Sequence, residues 1–425
     1  MMARSSATRA PFVAVAGLSA RMLAQSAARA GLRVVALDVF GDRDTREAAE
    51  LWFDIGGGPL SIDPEKLAGA LARCARLPGL IGWIDGSGLE PFIARLCEAP
   101  GLPRFIGNAA QASAQVRDPR RFFALLDKLD IPHPPVAFTL PAAAPGWLMK
   151  RADGCGGTHV EPLATLATLA TLAGSGRPAQ EYFQRHSRGH PMSALFLAAR
   201  GSARVIGFAQ QLTCQMGTLP FVHAGSIGPV DLPPTVEIRV RAAIAALCAR
   251  VGLAGINSCD FLLDGESFEV LEINTRPSST MTLYETASPD AWPRGLVAAH
   301  IDACRHGRLP PEPAPAICRA GQQVLFAPQP FAVSQAFSDA CARDPRCRDV
   351  PMPGTRIEAG QPVCTLLAHA PSVDAVRLAL DAQHTLVLQR IESCREPLQA
   401  ASPASPASLP TPFREPDRDF IPCHS

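Results

Sequence analysis

The chain has 425 residues, of which 47% are hydrophobic and 19% charged, with a formal net charge of +1 at pH 7. That length exceeds one ordinary hydrophobic core, so two or three domains are expected, and the composition excludes a disordered chain. The charge balance gives no reason to expect nucleic acid or an anionic membrane as a partner. The 13 cysteines contain no Cys-x-x-Cys pair, which argues against zinc and a disulfide framework and for reduced core thiols. No apolar run reaches the ~18–20 residues of a membrane helix, and residues 1–10 lack the apolar segment of a secretory signal, so a cytoplasmic location is expected.

Phe12-Val13-Ala14-Val15-Ala16 reads as a buried strand, followed by Gly17-Leu18-Ser19 and a helix over residues 20–29 that closes at Gly31. Residues 32–39 are a second strand carrying Asp38, so the start of the chain is a βαβ unit with a parallel sheet. A dinucleotide site with Asp38 on a ribose would need Gly-x-Gly-x-x-Gly, and only Gly17 is present. Residues 79–88 give another strand and a glycine-rich loop that suits either a ligand or a plain turn. Asp118 as N-cap and Pro119 behind it open a helix through residue 129.

Trp147-Leu148-Met149-Lys150 then delivers a lysine to a loop containing Gly154, Gly156 and Gly157. Backbone N–H groups of such a loop can cover phosphates, and the lysine can neutralise them; a hairpin turn is the plainer reading. Residues 163–172 repeat Ala-Thr-Leu and read as a low-complexity insertion. Gln180-Glu181-Tyr182-Phe183 follows, then strands at 192–197 and 205–211, a loop at 225–229 and a helix over 235–252.

The most informative stretch is the pair of apolar runs around Asp264-Gly265-Glu266-Ser267, which read as a β-hairpin. Glu272 and Asn274 share a face at i, i+2, and a three-residue loop sets Asp260 opposite Glu272. Two carboxylates that close repel unless a cation lies between them, and hard oxygen ligands without His or Cys suit Mg²⁺ or Mn²⁺. Acids facing water at a hairpin end are the alternative. Ser278-Ser279-Thr280 can meet an anion or merely cap the next helix. Residues 309–315 form a Pro-rich boundary; beyond it come short strands at 322–326, 350–357 and 361–367, and a helix over 373–382 that residues 385–391 continue or leave. The Ala-Ser-Pro repeats of residues 400–408 read as a disordered tail.

The order of these pieces resembles the ATP-grasp superfamily of ligases over roughly residues 12–300, most specifically in Asp260 and the Glu-Ile-Asn-x-Arg-Pro segment. The resemblance implies an α/β protein of four parts: a doubly wound parallel-sheet domain (11–110), a two-lobed α+β ATP-grasp domain (111–308), a small mainly β C-terminal domain (316–395) and a tail (396–425). It implies Lys150 on ATP phosphates, Gly154, Gly156 and Gly157 as a flap, and Glu181, Tyr182 and Phe183 as a hinge holding adenine by main-chain groups. Asp260, Glu272 and Asn274 would hold Mg²⁺ or Mn²⁺, with Arg276 facing the acyl phosphate or carboxylate. Family members often carry an acid after the hinge and an Arg before the metal Asp; here residues 184–193 contain no acid, and Asn257 and Ser258 stand where the Arg would be. The C-terminal segment is similar to a carboligase-like subgroup related to biotin carboxylase, found among proteins of one-carbon metabolism.

The expectation is therefore an ADP-forming ligase that joins a small-molecule carboxylate to an amine, with ATP and Mg²⁺, no nucleic-acid or membrane partner, and a homo-oligomer allowed. Two rivals stand beside it: a bicarbonate-activating carboxylase, and an ATP-binding protein without turnover. A Met-Lys-Met biotin carrier site is absent from the sequence.

Overall fold

In the computed structural model the described residues are 10–58, 60–163 and 181–393. Most of the Ala-Thr-Leu repeat, Gln180 and the Ala-Ser-Pro segment lie outside them.

Phe12–Ala16 alternates its side chains between two cores: Phe12, Ala14 and Ala16 enter one, Val13 and Val15 the other. A strand buried on both faces belongs inside a parallel sheet. The sheet runs in the order Leu51–Asp54, Arg33–Asp38, Phe12–Ala16, Leu80–Asp85, with every pair parallel. Helix Arg21–Arg29 follows the first strand, and Gly31 turns the chain back at φ +77°. Asp38 is buried and accepts from the Ala20 and Gly41 amides and from Trp52 Nε1, so it holds its own loops rather than a ribose.

A four-stranded antiparallel sheet orders Val136–Ala137, Glu181–Arg185, Trp147–Arg151 and Val160–Pro162. Ahead of it, helix Pro119–Lys128 begins as expected, with Asp118 accepting from the Arg121 amide.

The largest sheet has eight antiparallel strands: Ser267–Asn274, Gly255–Asp264, His190–Ala199, Ser202–Met216, Leu219–Gly228, Arg319–Phe326, Pro362–Ala370 and Cys347–Arg348. One expectation changes here. Residues 225–228 are strand, not loop: Gly225, at φ +149°, lets the neighbouring strand approach until a Cβ would lie 2.1 Å from the Gln322 carbonyl oxygen. Beyond the Pro-rich stretch, Arg319–Phe326 pairs directly with Leu219–Gly228, so Arg319–Phe326, Pro362–Ala370 and Cys347–Arg348 extend the large sheet, while Phe331–Ala332 and Arg356–Ile357 pair in a small sheet of their own. Residues 385–391 join the preceding helix in one element, Val373–Ser393.

One face of the large sheet packs Phe208, Phe261 and Phe268 against helix Pro234–Val251, whose Val236, Val240, Ile244 and Leu247 are buried at helical spacing. On the other face Leu195, Leu197 and Ile256 meet helices Gly295–His306 and Arg21–Arg29, so the N-terminal sheet docks through a helix it shares. Among the described residues no helix is long and apolar enough to cross a membrane.

Candidate active site

The three sheets surround a cavity of about 530 Å³. Its floor is the Gly255–Asp264/Ser267–Asn274 hairpin, whose register decides the chemistry. The turn holds two residues, Gly265 and Glu266, and from Asp264↔Ser267 to Phe261↔Val270 the pairing is regular. It then shifts, leaving Leu271 as an extra residue, so that Asp260 faces Glu272 and Ser258 faces Asn274. The expected pairing is present, but through a two-residue turn plus a bulge rather than a three-residue loop. Without the bulge Glu272 would share the core-facing side of Phe268 and Val270; with it, Ile273 takes the core and Glu272 and Asn274 take the cavity.

Asn274 Nδ2 donates to Asp260 Oδ2 at 3.1 Å and to Glu272 Oε1 at 3.2 Å, placing the positive end of an amide between two acids. Burial, and next the Glu272 charge, push the Asp260 carboxyl up to about 7. Burial pushes Glu272 up too, but Lys150, His159 and Arg117 outweigh it and hold Glu272 below the usual range. Asp260 Oδ1 is buried with no hydrogen-bond partner. Two carboxylates, an orphaned oxygen and an amide that presents oxygen when turned over fit a hard divalent cation. Among the described residues no three His, Cys, Asp or Glu side chains converge on a metal point, so Asn274 is needed to complete the set.

Opposite, Lys150 is only 6% exposed and donates to Gln184 Oε1 at 2.9 Å. Burial lowers its pKa, against the pull of Glu272 and Asp260. The glycine loop after it is fastened at both ends. Arg117 Nη2 donates to the Ala152 carbonyl at 2.6 Å, and the His223 amide donates to the Gly156 carbonyl at 2.9 Å. At Gly157, φ +75°, a Cβ would sit 1.9 Å from the Phe221 carbonyl oxygen, which excludes every other residue. Gly156 and Gly157 line the cavity, whereas Gly154 is packed behind them against His159.

Of the residues expected to hold adenine through their main chain, Tyr182 and Phe183 turn their side chains into the cores around Phe123 and Leu163, and none of Glu181, Tyr182 and Phe183 is in the cavity lining. The lining segment is Gln184, Arg185, His186 and Ser187, reached from the same strand one step later, where it leaves the small sheet.

Arg276 lines the cavity but is not free: its Nε donates to Glu90 Oε1 at 2.7 Å, and Glu90 Oε2 accepts from the Gly88 amide. Burial alone would neutralise Glu90, and Arg276 and Arg117 hold it charged, below its ordinary value. Glu90, Gln184, His159 and His223 are site residues that the sequence reading did not name. Burial, and then Arg276, push His223 down to about 4, so it faces the cavity as a neutral ring. Arg117, at the end of helix Ala110–Arg117, bonds the Ala152 and Gly154 carbonyls and lowers the pKa of Glu272 and Glu90 through its charge alone.

The chain contains an ATP-grasp domain. Residues 117–280 match the ATP-grasp domain family. The chain is 25% identical over 241 residues to the carbamoyl phosphate synthase large chain of Pseudomonas syringae pv. tomato, covering 52% of this chain but 22% of that one. Its fold is similar to that of biotin carboxylase from Campylobacter jejuni, with TM-score 0.64 and 14% identity over 85% of this chain and 88% of the other. It is equally similar to the L-amino acid ligase of Bacillus licheniformis, with TM-score 0.63 and 14% identity over 90% and 98%. The biotin carboxylase domain of Hydrogenobacter thermophilus 2-oxoglutarate carboxylase, solved with MgADP, ADP and bicarbonate, aligns with TM-score 0.66 and 16% identity over 87% and 89%.

Behind Arg276, Asp85 is buried with Oδ1 unpartnered, and burial raises its pKa to about 7 from 3.8. The folded protein therefore holds a proton there that the unfolded chain releases. The stability linked to that proton is present at low pH and is lost as pH rises through about 7. Unfolding midpoints of wild type should fall between about pH 5 and pH 8, and Asp85→Asn should flatten that fall and be more stable than wild type at the upper end. Equal slopes in the two proteins would contradict a buried, proton-holding Asp85.

Proposed function

We propose that the chain is an ATP-dependent, ADP-forming ligase that activates a small-molecule carboxylate as an acyl phosphate and transfers the acyl group to an amine. The observation that carries this reading is the meeting of Lys150 and the Asp260/Glu272/Asn274 group across one cavity, beneath a clamped glycine loop. Phosphoryl transfer asks the protein for placement and charge neutralisation more than for a covalent nucleophile. Lys150 is a buried point charge for the phosphate tail, and Gly156 and Gly157 line the same cavity. A divalent cation held by Asp260, Glu272 and Asn274 would neutralise charge on the phosphate oxygens when bound. The main chain of residues 184–187 takes the adenine.

Arg276 is poised for the carboxylate or acyl phosphate, with Glu90 fixing its direction until substrate shares it. The substrate oxygen attacks the γ-phosphorus, the bond to the β,γ-bridging oxygen breaks, ADP departs, and the amine later displaces phosphate. Burial raises the Cys155 thiol to about 11 and raises Cys259 as well, so neither is an activated nucleophile. In this reading residues 11–110 supply one wall, 111–308 the nucleotide site and 316–395 the far wall. The placement near one-carbon cofactor assembly rests on the C-terminal resemblance alone. A bicarbonate-activating carboxylase would share the phosphate chemistry; the long cavity reaching the C-terminal strands favours a second organic substrate.

Lys150→Ala should weaken ATP binding by about 1.5–3 kcal/mol, the range of a charge-assisted hydrogen bond, and leave adenosine binding nearly unchanged. Equal losses for both would make Lys150 a structural residue. With γ-labelled ATP and a panel of carboxylic acids, the label should appear in ADP-coupled phosphate, and hydroxylamine should trap the activated acid as its hydroxamate. Accumulation of AMP and pyrophosphate would contradict the ligase mechanism.

A further inference from the structure

The cavity does not end at the phosphate site. Across the large sheet, directly paired residues on one face form a polar row: Asp260 opposite Ser193, then Gln211 opposite Ser226, and Ser226 opposite Gln322. The first members of the row have a task, since Ser193 and Gln211 both serve the Asp260 carboxyl through side-chain hydrogen bonds. The last two have none. Gln322 is 4% exposed, lines the cavity and has no side-chain hydrogen-bond partner among the described residues, and Ser226 Oγ beside it is buried and unpartnered. Buried polar groups left like this are met by a bound molecule or by water.

The walls around Gln322 hold no charge in reserve. Val324, two residues on along the same face, pairs with Thr365, and Thr365 bonds Asp349. Asp349 is fully engaged: it accepts from Arg21 Nε at 2.7 Å and Nη2 at 3.1 Å, from Ser19 Oγ at 3.0 Å and from Thr365. Arg21 gives its remaining nitrogen to Gln25. Burial pushes Asp38, Asp42 and Asp44 upward, toward their neutral forms. This closed cluster fastens the N-terminal loop to the C-terminal strands, and Leu18, Met22 and Val324 line the recess beside it.

One cation does have capacity to spare. Arg276 gives Nε to Glu90 at 2.7 Å and Nη1 to the Pro277 carbonyl at 3.4 Å, and its second Nη is uncommitted among the described residues. Burial and then Arg276 push down His223, which stands on Leu219–Gly228, the strand paired with that of Gln322. Arg276 and Gln322 therefore face one recess from two sides.

We propose that the carboxylate substrate lies in this recess with its acid on Arg276, and that Gln322 is the specificity-determining residue that reads its other end. The substrate is a monocarboxylic acid with an uncharged, largely apolar body that ends in a neutral group bearing a donor and an acceptor, of which a carboxamide is the simplest. A side-chain amide offers an acceptor and two donors to such a group, whereas a second carboxylate would have to be desolvated against neutral walls. The proposal rests on the ligase reading of the nucleotide site and names the class of its acid.

The test is ligand-observed NMR on the full chain with a non-hydrolysable ATP analogue and magnesium. The probes are the monoamides of the straight-chain diacids from succinic to sebacic acid, each set against its diacid and against the keto acid in which methyl replaces the amide nitrogen. In wild type the best monoamide should bind about tenfold tighter, or more, than its diacid and its keto acid, the scale of one or two hydrogen bonds. Gln322→Met keeps the length and loses the hydrogen bonds, so monoamide and keto acid should bind alike. Gln322→Asn retracts the amide by one methylene, so the preferred monoamide should be one methylene longer, a shift that a merely structural residue would not give. Analogue binding should stay within about twofold of wild type in both variants, since Gln322 is not part of the nucleotide site. Monoamides bound no better than their diacids and keto acids in wild type, no binding of any acid, a preference that survives Gln322→Met, an unshifted optimum in Gln322→Asn, or analogue binding lost in the variants alone would overturn the specificity role while leaving nucleotide binding by wild type in place. Failure of the analogue to bind wild type would overturn the ligase reading and this proposal with it.

Discussion

Two carboxylates facing each other on a dry strand pair are the constraint around which this molecule is arranged. Asp260 and Glu272 are directly opposed in the hairpin, and burial together with mutual repulsion holds one of them up near about 7. Such a pair is costly unless positive charge is aimed at it. The Asn274 amide supplies part of that charge, and Lys150 and Arg117 supply the rest from other elements. In the proposed reading, the repulsion that makes the pair expensive alone is what would give it affinity for a cation.

That arrangement explains why three sheets must meet. The hairpin offers only acids and an amide; the cations come from the small sheet and from helix Ala110–Arg117, and the glycine loop spans the gap. The parallel sheet adds its loops at the carboxyl ends of Phe12–Ala16 and Leu80–Asp85, the two strands at the switch point of its order, where such folds form ligand crevices. Glu90, just past that crevice, ties Arg276 to the N-terminal part. Continuation of the large sheet into Arg319–Phe326 and Pro362–Ala370 then closes the far end.

Much of this was legible in the sequence, for local reasons. The βαβ start, the Asp118-Pro119 cap and the Lys150–glycine loop follow from strand periodicity and turn chemistry, whereas the facing of Asp260 and Glu272 was read through a three-residue loop that the structure replaces with a two-residue turn and a bulge. The bulge at Leu271 left a trace that was missed: core residues Phe268 and Val270 are two apart, whereas Val270 and Ile273 are three apart. That Tyr182 and Phe183 fill cores with their side chains could not be read from the sequence, because apolar residues suit a buried strand and a ligand pocket equally well. Glu90, His223 and the Arg21–Asp349 pair were out of reach, because their partners lie 186 residues away for Glu90–Arg276 and 328 for Arg21–Asp349. The Gly225–Gly228 strand read as a loop because its glycines serve close strand approach rather than turning.

The most direct measurement is manganese binding followed by electron paramagnetic resonance, with a non-hydrolysable ATP analogue, in wild type and in Glu272→Gln. If the opposed acids exist to share a cation with the nucleotide, wild type should bind the manganese–nucleotide complex. Removing one charge should weaken that binding by at least about tenfold, with the fold unchanged by circular dichroism. Equal manganese affinity in the two proteins would contradict the account at its centre.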